Sequence, residues 1–254
     1  MKFTKMHGYG NDFIVVNAFN TNIDLSVEQA AFLCDRHFGI GADGVLLLLP
    51  SSKADIRMRI FNSDGSEAEM CGNGIRCISK FAFDNGIVKN KNFSVETKTD
   101  IKNIVLLDDE YIKVNMGKGE MLPNPTTEYD LSCVSVGNPH AIMIIEEDLQ
   151  TFPVADLGPK IENHKGFPKK TNVEFVKIID RNNIEMRVWE RGCGQTLCCG
   201  TGVTATAFAL HKKGLVDENV NIKMTGGVLK VELVGDEIFL IGNATKVYDG
   251  EIII

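Results

Sequence analysis

The sequence predicts an α/β (α+β) fold made of two homologous domains. Its 254 residues are enough for two domains of ordinary size. Several short motifs recur at one fixed separation, which is the usual sign of an internal repeat. Both halves also show the same succession of strand and helix patterns. Two like domains of this kind would be related by a pseudo-two-fold axis, with a site in the cleft between them.

The repeat keeps nearly the same register along the chain. The segment 58–62 recurs at 186–190, since 186 − 58 = 128. Cys71-Gly72-Asn73-Gly74 recurs as Cys199-Gly200-Thr201-Gly202 at the same shift, 199 − 71 = 128. Earlier in each half, Asn11 matches Asn138 at a shift of 138 − 11 = 127. Matches that hold one register over this distance indicate a duplicated domain, connected through the proline-containing segment 120–129.

Each half is predicted to contain the same elements in the same order. An apolar strand comes first and a helix follows. In the first half, Ser26 and Gln29 have the spacing of a capping box, which predicts the start of this helix. A strand with alternating apolar residues follows, and a Gly-rich turn with a cysteine opens a second helix. In the two halves, the leading strands are 13–16 and 141–145, the alternating strands 56–60 and 184–188, the second helices 75–84 and 203–213, the terminating glycines Gly86 and Gly214, and the closing strands 111–115 and 237–241.

Composition excludes several classes of protein. The formal net charge of −7 offers no basic surface for nucleic acid. No apolar run approaches the roughly 20 residues that span a bilayer, and no signal-like stretch opens the chain, so we expect a cytoplasmic protein without a membrane partner. The seven cysteines are odd in number and lack C-x-x-C spacing, so we expect reduced thiols and no metal site.

The two C-G-x-G turns are the candidate catalytic elements. Cys71 and Cys199 each precede a predicted helix, whose positive end lowers the pKa of a thiol. The glycines allow backbone N–H groups to bind a carboxylate, which leaves the α-carbon of that ligand beside the sulfur. One thiolate could then remove the α-proton while the opposite thiol returns one, inverting the centre. The residues alone leave a second reading open, in which each turn is only a structural helix start.

The ordered motifs resemble those of the diaminopimelate epimerases over essentially the whole chain. The most specific segments are 5–13, 62–66 running into 71–77, 137–140, and 190–196 running into 199–202. The resemblance implies two similar domains, each a central helix wrapped by mostly antiparallel sheet, with the last strand returning to the first domain. We therefore expect domains at 1–118, joined by about 246–254, and at 119–245.

The resemblance also implies an isomerase that interconverts LL- and meso-diaminopimelate without pyridoxal phosphate or any other cofactor, on the route to lysine and peptidoglycan precursors. Cys71 and Cys199 would be the two bases, with Cys199 the proton acceptor for the LL substrate and Cys71 the donor. His140 and Glu190 match residues that adjust the thiols. Residues that match substrate-binding positions are Asn11, Asn62, Gly72, Asn73, Asn138, Asn172, Glu190, Arg191, Gly200 and Thr201.

The chemistry of these residues suits an amino-acid ligand, since Arg191 can bind a carboxylate and Glu190 an ammonium group. A related racemase that acts on proline or hydroxyproline is the alternative. It is disfavoured because a smaller substrate has no second amino-acid end. A thiol redox or metal-binding protein is a third reading, and the cysteine spacing weighs against it. The expected partner is a small-molecule substrate, and a homodimer is compatible with the sequence.

Overall fold

The computed structural model describes residues 1–21, 23–108 and 110–253. Its contacts divide the chain into two compact units. The N-terminal unit comprises Met1–Val114 and Gly242–Ile254, and the C-terminal unit comprises Asn115–Ile241. The division falls a few residues before the sequence-based limits of 118 and 245, because it lies within two strands that continue past it.

The described residues of the N-terminal unit form two helices and a mixed sheet. Its elements are β1 (Lys2–Gly8), β2 (Asn11–Asn17), α1 (Val27–Cys34), β3 (Gly44–Leu49), β4 (Ile56–Asn62), β5 (Glu67–Ala68), α2 (Gly72–Asp84), β6 (Asn92–Glu96), β7 (Ile101–Leu106) and β8 (Ile112–Lys118), which crosses the division. The C-terminal strand β18 (Thr245–Glu251) pairs with β1, as the family resemblance implies. Among the described ladders of this unit, β2–β3 and β4–β6 are parallel and the others antiparallel.

The C-terminal unit repeats this order. Its elements are β9 (Glu120–Met121), β10 (Ser132–Ser135), β11 (Pro139–Ile144), α3 (Val154–Glu162), β12 (Asn172–Ile178), β13 (Asn183–Glu190), β14 (Gly194–Thr196), α4 (Gly200–Lys212), β15 (Asn219–Met224), β16 (Gly227–Val234) and β17 (Glu237–Gly242). The parallel pairs β11–β12 and β13–β15 occupy the positions of β2–β3 and β4–β6. This correspondence confirms the predicted mixed fold with a duplicated order of elements.

Hydrophobic burial explains why each unit holds two helices. In the N-terminal unit, β3 reads Gly-Val-Leu-Leu-Leu-Leu and is buried on both faces, as a strand between two helices must be. Val45 and Leu47 pack with Leu33 of α1, whereas Leu46 lies beside the start of α2. In the C-terminal unit, α3 packs on β12 and β13, and α4 contacts β10, β11, β12 and β16. The second helix of each unit is therefore the central one.

Local sequence signals correctly predicted several helix ends. Ser26 and Gln29 form both bonds of the capping box that opens α1. Gly86 and Gly214 follow the C-caps of α2 and α4 with φ of 67° and 73°, a left-handed conformation that glycine adopts without strain. The predicted starts of the central helices, at Ile75 and Val203, were three residues late, since both helices begin directly after the cysteine.

Candidate active site

Both candidate cysteines are the N-caps of the central helices. The backbone of Cys71 is extended, with φ −141° and ψ 123°, and its Sγ accepts a hydrogen bond from Gly74 N at 3.4 Å. Cys199 has the same conformation, and its Sγ accepts a bond from Gly202 N, also at 3.4 Å. Each sulfur thus satisfies a donor that the first turn of a helix leaves without an intrahelical partner. The predicted equivalence of the two turns is therefore present in their geometry.

A chain of buried polar contacts surrounds Cys71. Asn11 Oδ1 lies 3.8 Å from Cys71 Sγ and accepts a hydrogen bond from Asn73 Nδ2 at 3.0 Å. Arg76, which is fully buried, donates to Asn73 Oδ1 at 2.6 Å and to the Gly72 carbonyl at 2.8 Å. The Arg76 guanidinium also lies over the Tyr9 ring, 5.6 Å from its centroid. The structure thus brings together Asn11, Asn73 and Cys71, with Arg76 fixing Asn73.

Hydrogen bonds orient the side chains of Asn11 and Asn62. Asn11 begins β2, and its Nδ2 donates to Asp43 at 2.8 Å, which in turn accepts from Arg36. Asn62 ends β4, and its side chain donates to Ser66 Oγ, in the turn that follows, at 3.0 Å. Both asparagines therefore have fixed orientations at strand ends of the N-terminal unit.

Cys199 lies in a more crowded group of titratable residues. Thr201 Oγ1 is 3.5 Å from Cys199 Sγ and accepts a bond from Asn138 Nδ2 at 3.4 Å. Glu190, at the end of β13, accepts hydrogen bonds from the Thr196 hydroxyl and from the Cys199 thiol. The structure therefore brings together Cys199, Thr201, Asn138 and Glu190, all of which the motifs had singled out.

His140 extends this group into the core of the C-terminal unit. Its Nε2 lies 3.0 Å from Asn138 Oδ1, and its Nδ1 lies 2.7 Å from Glu174 Oε1. The side chains of both His140 and Glu174 are fully buried. Glu174 stands on β12, two residues after Asn172, and was not among the residues that the motifs identified.

The turn after β13 is fixed from two sides. Asn172 Oδ1 accepts a bond from the backbone N–H of Arg191 at 2.9 Å, and Asn172 Nδ2 donates to the Pro139 carbonyl at 2.9 Å. Glu162, which is almost fully buried, accepts from Gly192 N at 2.9 Å and from Trp189 Nε1 at 2.7 Å. These bonds position Arg191 at the end of β13, beside the strands that carry the other candidate residues.

The electrostatics of Cys199 differ from the sequence-based expectation of a lowered thiol pKa. Burial, followed by the carboxylates of Glu190 and Glu174, raises the pKa of Cys199 well above its ordinary value. Bonds from Thr201 and from the Gly202 N–H act in the opposite direction but are outweighed. Burial likewise raises the pKa of Glu190. These surroundings favour the thiol form of Cys199, and Glu190 is the adjacent carboxylate that accepts its hydrogen bond.

Three of the other buried cysteines are packing residues: Cys34, Cys77 and Cys133. Burial raises the pKa of the Cys34 and Cys133 thiols to about 11 and that of Cys77 to about 12. The described residues form no disulfide. Among those residues there is no cluster of three or more His, Cys, Asp and Glu side chains with the arrangement of a metal site. No described helix combines the length and apolarity needed to span a bilayer.

The fold is shared with known structures of low sequence identity. A phenazine biosynthesis protein of the PhzF family from Bacillus anthracis matches with a TM-score of 0.76, covering 100% of this chain and 99% of that one at 16% identity. A hydroxyproline epimerase from Agrobacterium vitis matches with a TM-score of 0.75, covering 98% and 91% at 16% identity. At these identities the comparison shows a shared fold, which one amino-acid epimerase also adopts.

Sequence comparison is more specific. The family model for diaminopimelate epimerase matches residues 3–122 and 132–247. A diaminopimelate epimerase from Methanococcus maripaludis is 46% identical, and the alignment covers 99% of this chain and 99% of that protein. The chain belongs to the diaminopimelate epimerase family, which confirms the resemblance that its motifs indicated.

Proposed function

We propose that this chain is a cofactor-independent isomerase that interconverts LL- and meso-diaminopimelate, in the synthesis of lysine and peptidoglycan precursors. The observation that carries the proposal is the near full-length match to diaminopimelate epimerases, at 46% identity with the Methanococcus maripaludis protein. The two helix-capping cysteines support the mechanism, because each helix start pairs a sulfur with a glycine-rich backbone that can bind a carboxylate.

In the proposed mechanism one thiolate removes the α-proton and becomes a thiol. The negative charge of the resulting carbanion spreads onto the substrate carboxylate, which gains enolate character. Backbone N–H groups of the C-G-x-G turns would stabilise this charge. The opposite thiol then gives a proton to the other face of the α-carbon and becomes a thiolate. Inversion therefore requires that Cys71 and Cys199 address opposite faces of the substrate in the complex.

Because burial raises the pKa of Cys199, we expect its thiol form to act as a proton donor. For turnover in the direction that needs Cys199 as base, its proton must first leave. Glu190 suits this step, because it already accepts a hydrogen bond from the thiol and its own pKa is raised by burial. The proton then passes from Cys199 Sγ to a Glu190 carboxylate oxygen, leaving a thiolate beside a neutral acid.

The other candidate residues would hold the second amino-acid group of the substrate. Arg191 supplies a cation for the distal carboxylate, and the amides of Asn62 and Asn172 can bind either end of an amino acid. Arg191 is positioned through its backbone by Asn172. Within the described residues its guanidinium makes one long hydrogen bond, of 3.5 Å, to the Lys169 carbonyl. A substrate with one amino-acid group, such as proline, would leave these residues without a ligand.

The proposal is tested with single-cysteine variants in an epimerisation assay. Cys71→Ala and Cys199→Ala should each lower turnover of LL-diaminopimelate by several orders of magnitude, because one missing base interrupts the proton transfer. Cys34→Ala is the matched control, since Cys34 is a buried cysteine in the core around α1, and it should retain turnover. Wild-type turnover by either Cys71→Ala or Cys199→Ala would exclude that cysteine from the mechanism.

A further inference from the structure

The internal repeat identifies which residue of the N-terminal unit corresponds to Glu174. The parallel strand pairs of the two units have equivalent registers. In the first unit the partners are Phe13↔Gly44 and Val15↔Leu46, and in the second His140↔Asn172 and Ile142↔Glu174. His140 therefore corresponds to Phe13, and Glu174 to Leu46. One unit has an apolar pair where the other has a buried histidine and glutamate.

The central helices confirm this correspondence. A Cβ added to Gly74 would lie 3.1 Å from Leu46 Cδ2, and one added to Gly202 would lie 2.7 Å from Glu174 Oε1. Gly74 and Gly202 are the third residues of their helices and donate to Cys71 and Cys199. Leu46 and Glu174 thus occupy the same place against the first turn of a cysteine-capped helix.

The buried pair in the C-terminal unit does not have the properties of a stabilising feature. The Glu174 side chain has no solvent exposure, and within the described part of the chain its Oε2 has no hydrogen-bond partner. Burying an ionisable pair with an unsatisfied oxygen costs free energy that an apolar pair of similar volume does not. The Phe13–Leu46 pair shows that this fold accommodates the apolar alternative.

An oxygen atom faces each ring nitrogen of His140. Asn138 Nδ2 donates to Thr201, so Asn138 Oδ1 is the amide atom that faces His140 Nε2, at 3.0 Å. Glu174 Oε1 lies 2.7 Å from Nδ1. The orientation of the ring is therefore fixed from both sides. The contacts continue from Asn138 through Thr201 to Cys199 Sγ.

We propose that Glu174 is a positioning residue: it accepts a hydrogen bond from Nδ1 of His140 and holds the ring with Nε2 facing Asn138, which contacts Cys199 through Thr201. The role of this pair in turnover rests on the proposed epimerase function. Glu174 touches neither the sulfur nor the substrate in this scheme and acts through His140. Besides Glu174 on β12, the ionisable groups that face this region are Glu190 on β13, Cys199 at α4 and Cys133 on β10.

Glu174→Gln and Glu174→Leu separate the charge of the residue from its packing. Glutamine keeps an oxygen that can accept a hydrogen bond from His140 Nδ1 but removes the negative charge. Leucine removes both and copies Leu46, the corresponding residue of the N-terminal unit. We expect kcat to fall on the order of 10- to 100-fold in Glu174→Gln, by analogy with residues that hydrogen-bond the histidine ligands of metal sites, and further in Glu174→Leu. KM should change by less than about threefold, because Glu174 does not touch substrate. The control is the same substitution at Glu96 of the N-terminal unit, Glu96→Gln, because Glu96 also accepts a side-chain hydrogen bond, from the Ser51 hydroxyl.

Two readouts distinguish positioning from a structural role. The loss in Glu174→Gln should fall on kcat and leave KM nearly unchanged. ¹⁵N NMR of histidine-labelled protein, assigned with His140→Phe, should show a protonated Nδ1 in the wild type and an altered Nδ1 signal in Glu174→Leu, which offers no acceptor. An unchanged ring signal, or wild-type kcat in both Glu174 variants, would overturn the proposal.

The double variant His140→Phe/Glu174→Leu copies Phe13 and Leu46 of the N-terminal unit. It tests whether the buried His140–Glu174 pair serves turnover and not stability. We expect it to melt at or above the wild-type temperature while its turnover is lost. A folded double variant with wild-type turnover, or a large drop in melting temperature, would overturn the inference. If the wild type itself does not epimerise diaminopimelate, the proposed function fails, and the NMR result still decides whether Glu174 orients the His140 ring.

Discussion

Adding one methyl group at Gly202 should disturb the active-site core, whereas the same change at Gly74 should not. In Gly202→Ala the new Cβ would meet Glu174 Oε1 at 2.7 Å and Cys199 Sγ at 3.3 Å. In Gly74→Ala the nearest atom is a Leu46 methyl at 3.1 Å, which a small rotation can move. The two glycines hold equivalent positions in the first turns of α4 and α2, so backbone effects largely cancel between the variants.

The magnitude follows from the bond that must yield. Glu174 is enclosed, so moving its carboxylate breaks its bond to His140, and a hydrogen bond to a charged group is worth about 1.5–3 kcal/mol. Replacing glycine by alanine in a helix returns about 0.5–1 kcal/mol. Gly202→Ala should therefore lose about 1–2 kcal/mol of unfolding free energy, while Gly74→Ala should be close to neutral.

Urea unfolding monitored by circular dichroism measures this difference, with kcat recorded on the same preparations. A loss confined to Gly202→Ala, together with lowered turnover, is the expected result. Equal stability of the two variants, within about 0.5 kcal/mol, would refute the close packing of Glu174 on α4.

Three further predictions concern stability and thiol reactivity. Although burial opposes it, hydrogen bonds from Arg36 and Lys5 lower the pKa of Asp12 to about 2. This lowered pKa contributes about 2 kcal/mol of unfolding free energy, which is present above about pH 4 and is lost as the pH falls toward 2. Asp12→Asn should therefore weaken the dependence of unfolding free energy on pH in this range. An unchanged dependence would contradict the lowered pKa of Asp12. Ser26→Ala should cost about 1 kcal/mol in urea unfolding through loss of the α1 cap, and a neutral effect would mean that the cap bonds are not made in solution. Iodoacetamide at pH 8 should spare Cys133, whose pKa is about 11, as read by mass spectrometry, and rapid labelling of the folded protein would argue against its burial.

The fold could be predicted from the sequence because its main determinant is local and repeated. The repeat is visible within this one sequence, because segments such as those around Cys71 and Cys199 match at one fixed separation. The capping box at Ser26 and the terminating glycines are likewise local signals. The helix starts were misplaced by three residues because a cysteine as N-cap, with glycine in the first turn, is not a pattern that propensity marks as helical.

The electrostatics of the site could not be predicted in the same way. The expected low pKa of Cys199 was wrong because burial and two carboxylates from other strands outweigh the helix terminus, and these are tertiary effects. Glu174 was missed because one glutamate within an apolar strand carries no spacing signal. Alignment of the two halves could have found it, since 174 − 128 = 46 pairs it with Leu46.

The two-base mechanism is tested most directly by following solvent deuterium into the substrate. Purified, reduced protein is incubated in D₂O with LL-diaminopimelate, and with proline in parallel, and the products are read by mass spectrometry and chiral separation. The account predicts one deuterium at the α-carbon of each meso-diaminopimelate molecule formed, and none in proline. Meso product without deuterium, or deuterium in proline alone, would contradict it.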